Sequence, residues 1–179
     1  MTDRLVPLIS QQTIAETVKR LARDIDRDYG DRPPVVVGVL KGSFIFLADL
    51  IRAMQTPIKR VELIKLSSYG SGTVSSGTVS MQLDVPAEAI AGQDVILVED
   101  IVDTGLSVAK AFQVLGSYSP QSLKLCTLLD KPDRRKVPVT IDYCGITIPD
   151  RFIVGYGIDF GEQYRQLPDI YTLERPIEA

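Results

Sequence analysis

At 179 residues and 45% hydrophobic content, the chain is long enough for one well-buried domain and short for two. A net charge of −3, with a pI near 5.0, argues against nonspecific binding to nucleic acid or to an anionic membrane, while allowing a local basic pocket. The chain contains no histidine, which excludes histidine triads and His-ligated zinc and leaves acid–base work to carboxylate, lysine, tyrosine or cysteine.

The opening MTDRLVPLIS has no charged segment leading into a long apolar run, and no stretch reaches the ~18 apolar residues of a membrane span. Neither a signal peptide nor a span is expected, and the reading is a soluble cytoplasmic protein. Thr13 and Glu16 have capping-box spacing, and Ile14, Val18, Leu21, Ala22 and Ile25 recur at helical intervals up to Tyr29 and Gly30. After the break at Asp31 to Pro34, Val35 to Leu40 (VVVGVL) reads as a strand buried on both faces. Lys41, Gly42 and Ser43 follow at its tip, before a helix carrying Phe44, Leu47, Leu50 and Ile51. Two readings stand for Lys41, a solvated turn lysine or a phosphate ligand, and its place at a strand tip beside a glycine favours the second.

Ile58 to Leu66 alternates as a strand, and Ser67 to Gly77 (SSYGSGTVSSG) has little that could pack. That composition suits a flexible surface loop; its central position and the isolated Tyr69 suggest a lid that orders over substrate. Val79 to Leu83 is expected to pair back as the second arm of a long hairpin, and Asp84 to Gln93 returns the chain to its middle.

The central run is Val95 to Ser107, VILVEDIVDTGLS. Four consecutive apolar residues predict a strand buried on both faces, with Glu99 and Asp100 at its carboxyl end, where open α/β sheets hold ligands. A helix from about Ser107 carries Val108, Ala111, Phe112 and Leu115 on one face, so the N–H groups of Asp103 to Ser107 surround its N-terminus and favour a phosphate. Carboxylates would repel that phosphate unless they hold sugar hydroxyls, a divalent cation, or both. The loop therefore asks for a sugar phosphate with a metal ion.

Leu123 to Leu129 (LKLCTLL) is the next buried strand, ending in Asp130, Lys131 and Pro132. Lys131, at a strand tip, can donate a hydrogen bond to a ligand carbonyl, whereas the basic run Arg134, Arg135 and Lys136 reads by default as solvated. Cys126 and Cys144 lie in apolar strand-like runs and read as reduced core thiols. Tyr143 to Ile148, Phe152 to Gly157 and Ile170 to Leu173 complete the strands. The alternation predicts an α/β fold: a mostly parallel twisted sheet flanked by helices, with a small hood and a flexible lid loop at about residues 67–78.

The run Val95 to Ser107 resembles the signature loop of the phosphoribosyltransferases, which bind phosphoribosyl pyrophosphate (PRPP) through apolar residues, two acids and a short phosphate turn. The resemblance extends to Leu40-Lys41-Gly42, Ser68-Tyr69, Leu129 to Pro132, Pro149 to Tyr156 and Asp159 to Arg165, which are similar, in order, to segments of the hypoxanthine-guanine phosphoribosyltransferases. It covers most of the chain from about residue 35. It implies the type I phosphoribosyltransferase fold in one domain over 1–179, with a hood from the N- and C-terminal segments. It also implies transfer of the phosphoribosyl group from PRPP to N9 of a 6-oxopurine, Mg²⁺ as cofactor, and a homodimer or homotetramer.

Carried over residue by residue, the resemblance implies that Asp103, Thr104, Gly105, Leu106 and Ser107 hold the 5′-phosphate, and that Glu99 and Asp100 take the ribose hydroxyls and Mg²⁺. Asp103 would be the general base toward N7 of the purine, Lys131 would donate to its 6-oxo group, Phe152 would stack on the ring, and Ile153 and Asp159 would meet its exocyclic edge. Lys41, Gly42 and Arg165 would bind pyrophosphate, Asp159 would add a ligand to the metal, and Ser68 and Tyr69 would close the lid. Phe152 also admits a plain reading as a core aromatic of a buried strand. The alternatives in function are a phosphoribosyltransferase preferring xanthine or adenine, or a regulator that uses the fold to sense nucleotides while binding RNA or DNA. The Lys131 donor argues against adenine, whose 6-amino group is itself a donor.

Overall fold

The computed structural model of the protein describes residues 4–68, 79–82 and 85–174. Strand β1 (Arg4–Ile9) leads into α1 (Gln11–Tyr29), whose N-cap is Ser10: its hydroxyl accepts from Thr13 N–H at 3.2 Å. The helix thus begins one turn before the Thr13/Glu16 box, because Ser10 offers the first free cap oxygen. It ends at Gly30, which takes φ +53.

The chain continues through β2 (Val35–Leu40), α2 (Phe44–Ala53), β3 (Arg60–Ser68), β4 (Val79–Gln82), α3 (Ala87–Ile90), β5 (Asp94–Val102), α4 (Leu106–Ser117), β6 (Ser122–Asp130), β7 (Tyr143–Thr147), β8 (Ile153–Val154) and β9 (Ile170–Glu174). One sheet has the order β4-β3-β2-β5-β6-β7, parallel throughout except at the β4 edge. This is the mostly parallel sheet flanked by helices that the alternation of strands and helices predicts. Val79 pairs with Ser68 and Gln82 with Lys65, so the anticipated hairpin is present at its base; residues 69–78, with Tyr69 and most of the expected lid, lie outside the described residues. A second, antiparallel sheet has the order β1-β9-β8.

The uninterrupted apolar runs are explained by two cores, one on each face. Side chains alternate along a strand, and Val36, Ile96 and Val98 join Leu21, Ile25, Phe46 and Leu50 under α1 and α2. Val35, Val37, Val95 and Leu97 join Ile90, Val108, Ala111 and Leu115 under α3 and α4. Each such burial is worth about 1.5–3 kcal/mol against exposure, so polar residues are excluded from both registers.

Besides the earlier start of α1, β1 and the short α3 are not predicted, and two predicted elements differ in detail. Phe44 is 44% exposed, and α2 turns Phe46, Leu47 and Leu50 inward instead. The strand expected over Phe152 to Gly157 is only Ile153–Val154, because Gly155, Tyr156 and Gly157 take φ of +105, +50 and +97 and turn the chain. Both cysteines are free, with Cys126 buried. Among the described residues no helix is long and apolar enough to cross a membrane.

Candidate active site

Strand β5 does not stop at its acids. It pairs with β6 through Glu99↔Thr127, Ile101↔Leu129 and Val102↔Asp130, which embeds the carboxylates in the parallel ladder. Alternation sends Glu99 and Asp100 to opposite faces. Glu99 is buried, and its Oε2 has no hydrogen-bond partner. Burial, and then the neighbouring Asp100, push its carboxyl well above the usual carboxylate range. Asp100 is pushed up to about 6, chiefly by burial, with Asp159 adding to the rise and backbone N–H groups and Arg165 opposing it.

The turn beyond β5 forms, with the strand end, a cavity of about 270 Å³ lined by Glu99 to Gly105, Ser107 and Val108. Leu106, the first residue of α4, does not line it. Gly105 takes φ +83, and a Cβ there would lie 2.8 Å from Val139 Cγ2 and 2.9 Å from the Val137 carbonyl, so the position is both left-handed and crowded. The turn is braced from outside. Lys136 N–H donates to the Thr104 carbonyl at 2.9 Å, and Arg135 donates through Nε to the Asp103 carbonyl at 3.0 Å and through Nη2 to the Val102 carbonyl at 3.2 Å, while pairing with Asp130. The solvated reading of the basic run is therefore wrong for Arg135, whose guanidinium is mostly covered and holds the turn after β5.

Arg134 is 47% exposed, as the solvated reading has it, but its charge is engaged. Arg134 Nε lies 3.2 Å from Asp103 Oδ1 in an ion pair, and its Nη1 lies 3.9 Å from Asp150 Oδ1. Lys131 completes the chain of alternating charges: it is 5% exposed, its Nζ donates to the Arg151 carbonyl at 2.7 Å, and it lies 3.6 Å from Asp150 Oδ1. Asp103 and Lys131 are thus linked through Arg134 and Asp150. Nearby, Phe152 is 52% exposed, which removes its core reading, and its ring meets that of Phe160 edge to face at 5.4 Å. Ile153 is buried and pairs with Thr172.

On the opposite side, the β2 tip, the β5 tip and the loop after β8 converge. A Cβ on Gly42 would sit 2.0 Å from Asp100 Oδ2, and one on Gly157 would sit 2.3 Å from the Gly42 carbonyl, so both close approaches require glycine. The Leu40–Lys41 peptide is cis. Arg165 donates to the Gly157 carbonyl at 2.8 Å and pairs with Asp159 Oδ1 at 2.8 Å; its Nε is buried without a partner. Lys41 Nζ donates to Glu162 Oε1 at 2.9 Å, a partner 121 residues away that the sequence did not suggest. Ser68 ends β3.

Among the described residues no three Cys, Asp or Glu side chains converge as a complete metal cage. Mg²⁺ rarely needs one: it commonly takes one or two carboxylates and completes its shell with water and substrate phosphate. The adjacent Glu99 and Asp100, both held toward protonation and one with an unpartnered oxygen, fit that mode.

The chain matches the family model of the phosphoribosyl transferase domain over residues 8–161. It is 45% identical over 172 residues to a hypoxanthine-guanine phosphoribosyltransferase of Aquifex aeolicus, with 96% of each chain covered. It is also 45% identical over 163 residues to a hypoxanthine phosphoribosyltransferase of Salmonella typhimurium, covering 90% of each. The crystal structure of a hypoxanthine-guanine phosphoribosyltransferase from Bacillus anthracis superposes with a TM-score of 0.87 at 44% identity, covering 97% of this chain and all of that one. With a buried Glu99 beside a half-buried Asp100, a braced turn at the start of α4 and the matching sheet order, the chain belongs to the phosphoribosyltransferase family, in its hypoxanthine-guanine branch.

Proposed function

We propose that the protein transfers the 5-phosphoribosyl group of PRPP to N9 of hypoxanthine or guanine, releasing pyrophosphate, in purine salvage. The observation that carries this is the ordered chain Asp103–Arg134–Asp150–Lys131 beside the exposed Phe152, directly across the β5 tip from Lys41, Gly42 and Arg165. It sets an acceptor-recognising group on one side of a sugar-phosphate cavity and cations on the other.

In this reading the α4 N-terminus and the turn from Asp103 to Ser107 hold the 5′-phosphate, with Arg135 keeping the turn in shape. Glu99 and Asp100 accept from the ribose hydroxyls and, with Asp159, would hold Mg²⁺, which would supply positive charge for the pyrophosphate group. Asp103 takes or holds the proton at N7 of the purine. Lys131 donates to the 6-oxo group, Phe152 stacks on the ring, and the backbone near Ile153 and Asp159 meets the exocyclic edge. Lys41, Gly42 and Arg165 receive the pyrophosphate. Ser68 and Tyr69, on the Ser/Gly-rich segment, close over the reacting carbon and exclude water, which would otherwise capture an oxocarbenium-like sugar.

Reduced thiols and the absence of a membrane-spanning helix among the described residues suit a cytoplasmic enzyme. The exposed Phe44, Val61 and Leu63 suit a homodimer or homotetramer. Turnover with PRPP, Mg²⁺ and each of hypoxanthine, guanine, xanthine and adenine tests the assignment: product with the first two is expected, and its absence with both overturns it.

A further inference from the structure

The two cations assigned to pyrophosphate already share a carboxylate. Glu162 Oε1 accepts from Lys41 Nζ at 2.9 Å, and its Oε2 accepts from Arg165 Nη2 at 3.2 Å. A single carboxylate therefore spans Lys41 and Arg165 with one oxygen on each, as two phosphate oxygens would. No apolar packing fixes it there, since the Glu162 side chain is 65% exposed.

The backbone does the aiming. Glu162 N–H donates to Asp159 Oδ2 at 2.9 Å, and Phe160 and Gln163 exchange two backbone hydrogen bonds at 3.2 and 3.1 Å. Gly161, Glu162 and Tyr164 all take left-handed φ, of +58, +66 and +75. Non-glycine residues adopt that region at a cost, so a turn containing two of them is held by its surroundings in one shape. That shape is anchored on Asp159 and directs the Glu162 side chain back across the mouth to Lys41.

We infer that Glu162 is a resident anion of the pyrophosphate pocket: it occupies Lys41 and Arg165 in the free protein and is exchanged for the pyrophosphate group when substrate binds. The inference rests on the function proposed above. Competition of this kind lowers apparent affinity by the fraction of protein in which the cations are free. It leaves the two cations never bare, and returning to them helps to expel the product. A ligand without a pyrophosphate group does not meet the competitor.

Titration of pyrophosphate with Mg²⁺, and separately of IMP, into the parent protein and Glu162→Gln tests this by calorimetry. The amide keeps the side chain's size while removing its charge. From one exposed and one half-covered ion pair, with Arg165 keeping its Asp159 partner in both proteins, roughly fivefold tighter pyrophosphate binding is expected in the variant, with IMP affinity unchanged. Glu162→Asp, too short to reach both cations from the same turn, is expected to fall between. Pyrophosphate affinity in Glu162→Gln equal to or weaker than in the parent overturns the inference. A parent protein that binds neither pyrophosphate nor IMP would instead sink the proposed function itself, so the two failures are separable.

Discussion

The β5 tip and the loop after β8 handle charge in opposite ways. At the β5 tip two carboxylates are drawn into the ladder and toward protonation, and Glu99 Oε2 has no partner. In the loop, Asp159, Glu162 and Arg165 are paired with one another and with Lys41. An uncompensated buried charge is costly and marks where a ligand of opposite sign belongs. A compensated exposed cluster marks where a ligand must displace something first. In the function proposed above the first region acquires a cation and the second exchanges an anion, and Gly42 is the point where they touch.

Asp103 is the strongest place to break this contrast, because it stands just beyond the β5 acids, forms an ion pair with Arg134 and still keeps a buried Oδ1 without a hydrogen-bond partner. Asp103→Asn keeps the shape and removes the base. We expect kcat to fall by about 10²- to 10⁴-fold with PRPP affinity spared. Equal loss of PRPP binding, measured by titration, would show that the carboxylate serves the phosphate turn instead. Gly42→Ala should come next. Its methyl would lie 2.0 Å from Asp100 Oδ2 while the Gly157 turn blocks retreat on the other side. The displaced carboxylate or strand tip should lower kcat/KM for PRPP by about 100-fold, the typical result of misplacement by roughly 1 Å. A variant with unchanged kinetics would mean that the two regions are not mechanically joined.

The parts that were readable from the sequence are those where one physical demand acts alone. Val35 to Val39 and Val95 to Val98 announce doubly buried strands because both faces of each are covered. The phosphate turn announces itself because its acids, glycine and following helix are contiguous. What stayed hidden was set by partners remote in sequence. The continuation of β5 through Glu99 and Asp100 depends on pairing with β6, and acids in a strand are locally disfavoured. Arg134 and Arg135 have the composition of a solvated run, and only the fold brings them onto Asp103 and Asp130. The Lys41–Glu162 pair joins a strand tip to a left-handed turn whose non-glycine residues give no local signal.

Lys131 sharpens the contrast from the acceptor side. It is almost fully covered, and among the described residues its ammonium meets the Arg151 carbonyl and the more distant Asp150. Lys131→Ala should reduce the preference for 6-oxo over 6-amino purines by roughly tenfold to a hundredfold, the value of one charged hydrogen bond in a covered site. Competition assays with hypoxanthine and adenine read this directly. A uniform loss for both bases would assign Lys131 to holding Asp150 and Arg151.

The smallest effect is the most direct reading of the uncompensated acids. Asp100 titrates near about 6 in the folded protein against an ordinary 3.8, so between these values the unfolded chain has ionised and the folded one has not. Below about 4 both states hold the proton and the group is neutral to stability; between about 4 and 6 folding must take up a proton that the unfolded chain has lost, so stability falls as pH rises, and above 6 the loss is complete and constant. Asp100→Asn removes that term. The unfolding free energy of the variant, read from thermal melts, should therefore gain on the parent between pH 4 and 6 and hold a constant lead above, by up to about 2 kcal/mol once solvent screening is allowed for. Carboxylates held below their ordinary range by ion pairs, such as Glu162 beside Lys41 and Arg165, act in the opposite sense, but they are common to both proteins and cancel in the difference. Adding Mg²⁺ above pH 6 should narrow the lead, because the cation stabilises only the ionised parent. A lead that is flat across pH, or indifferent to Mg²⁺, would mean that the acids of β5 are balanced within the protein and that the two regions do not differ in kind.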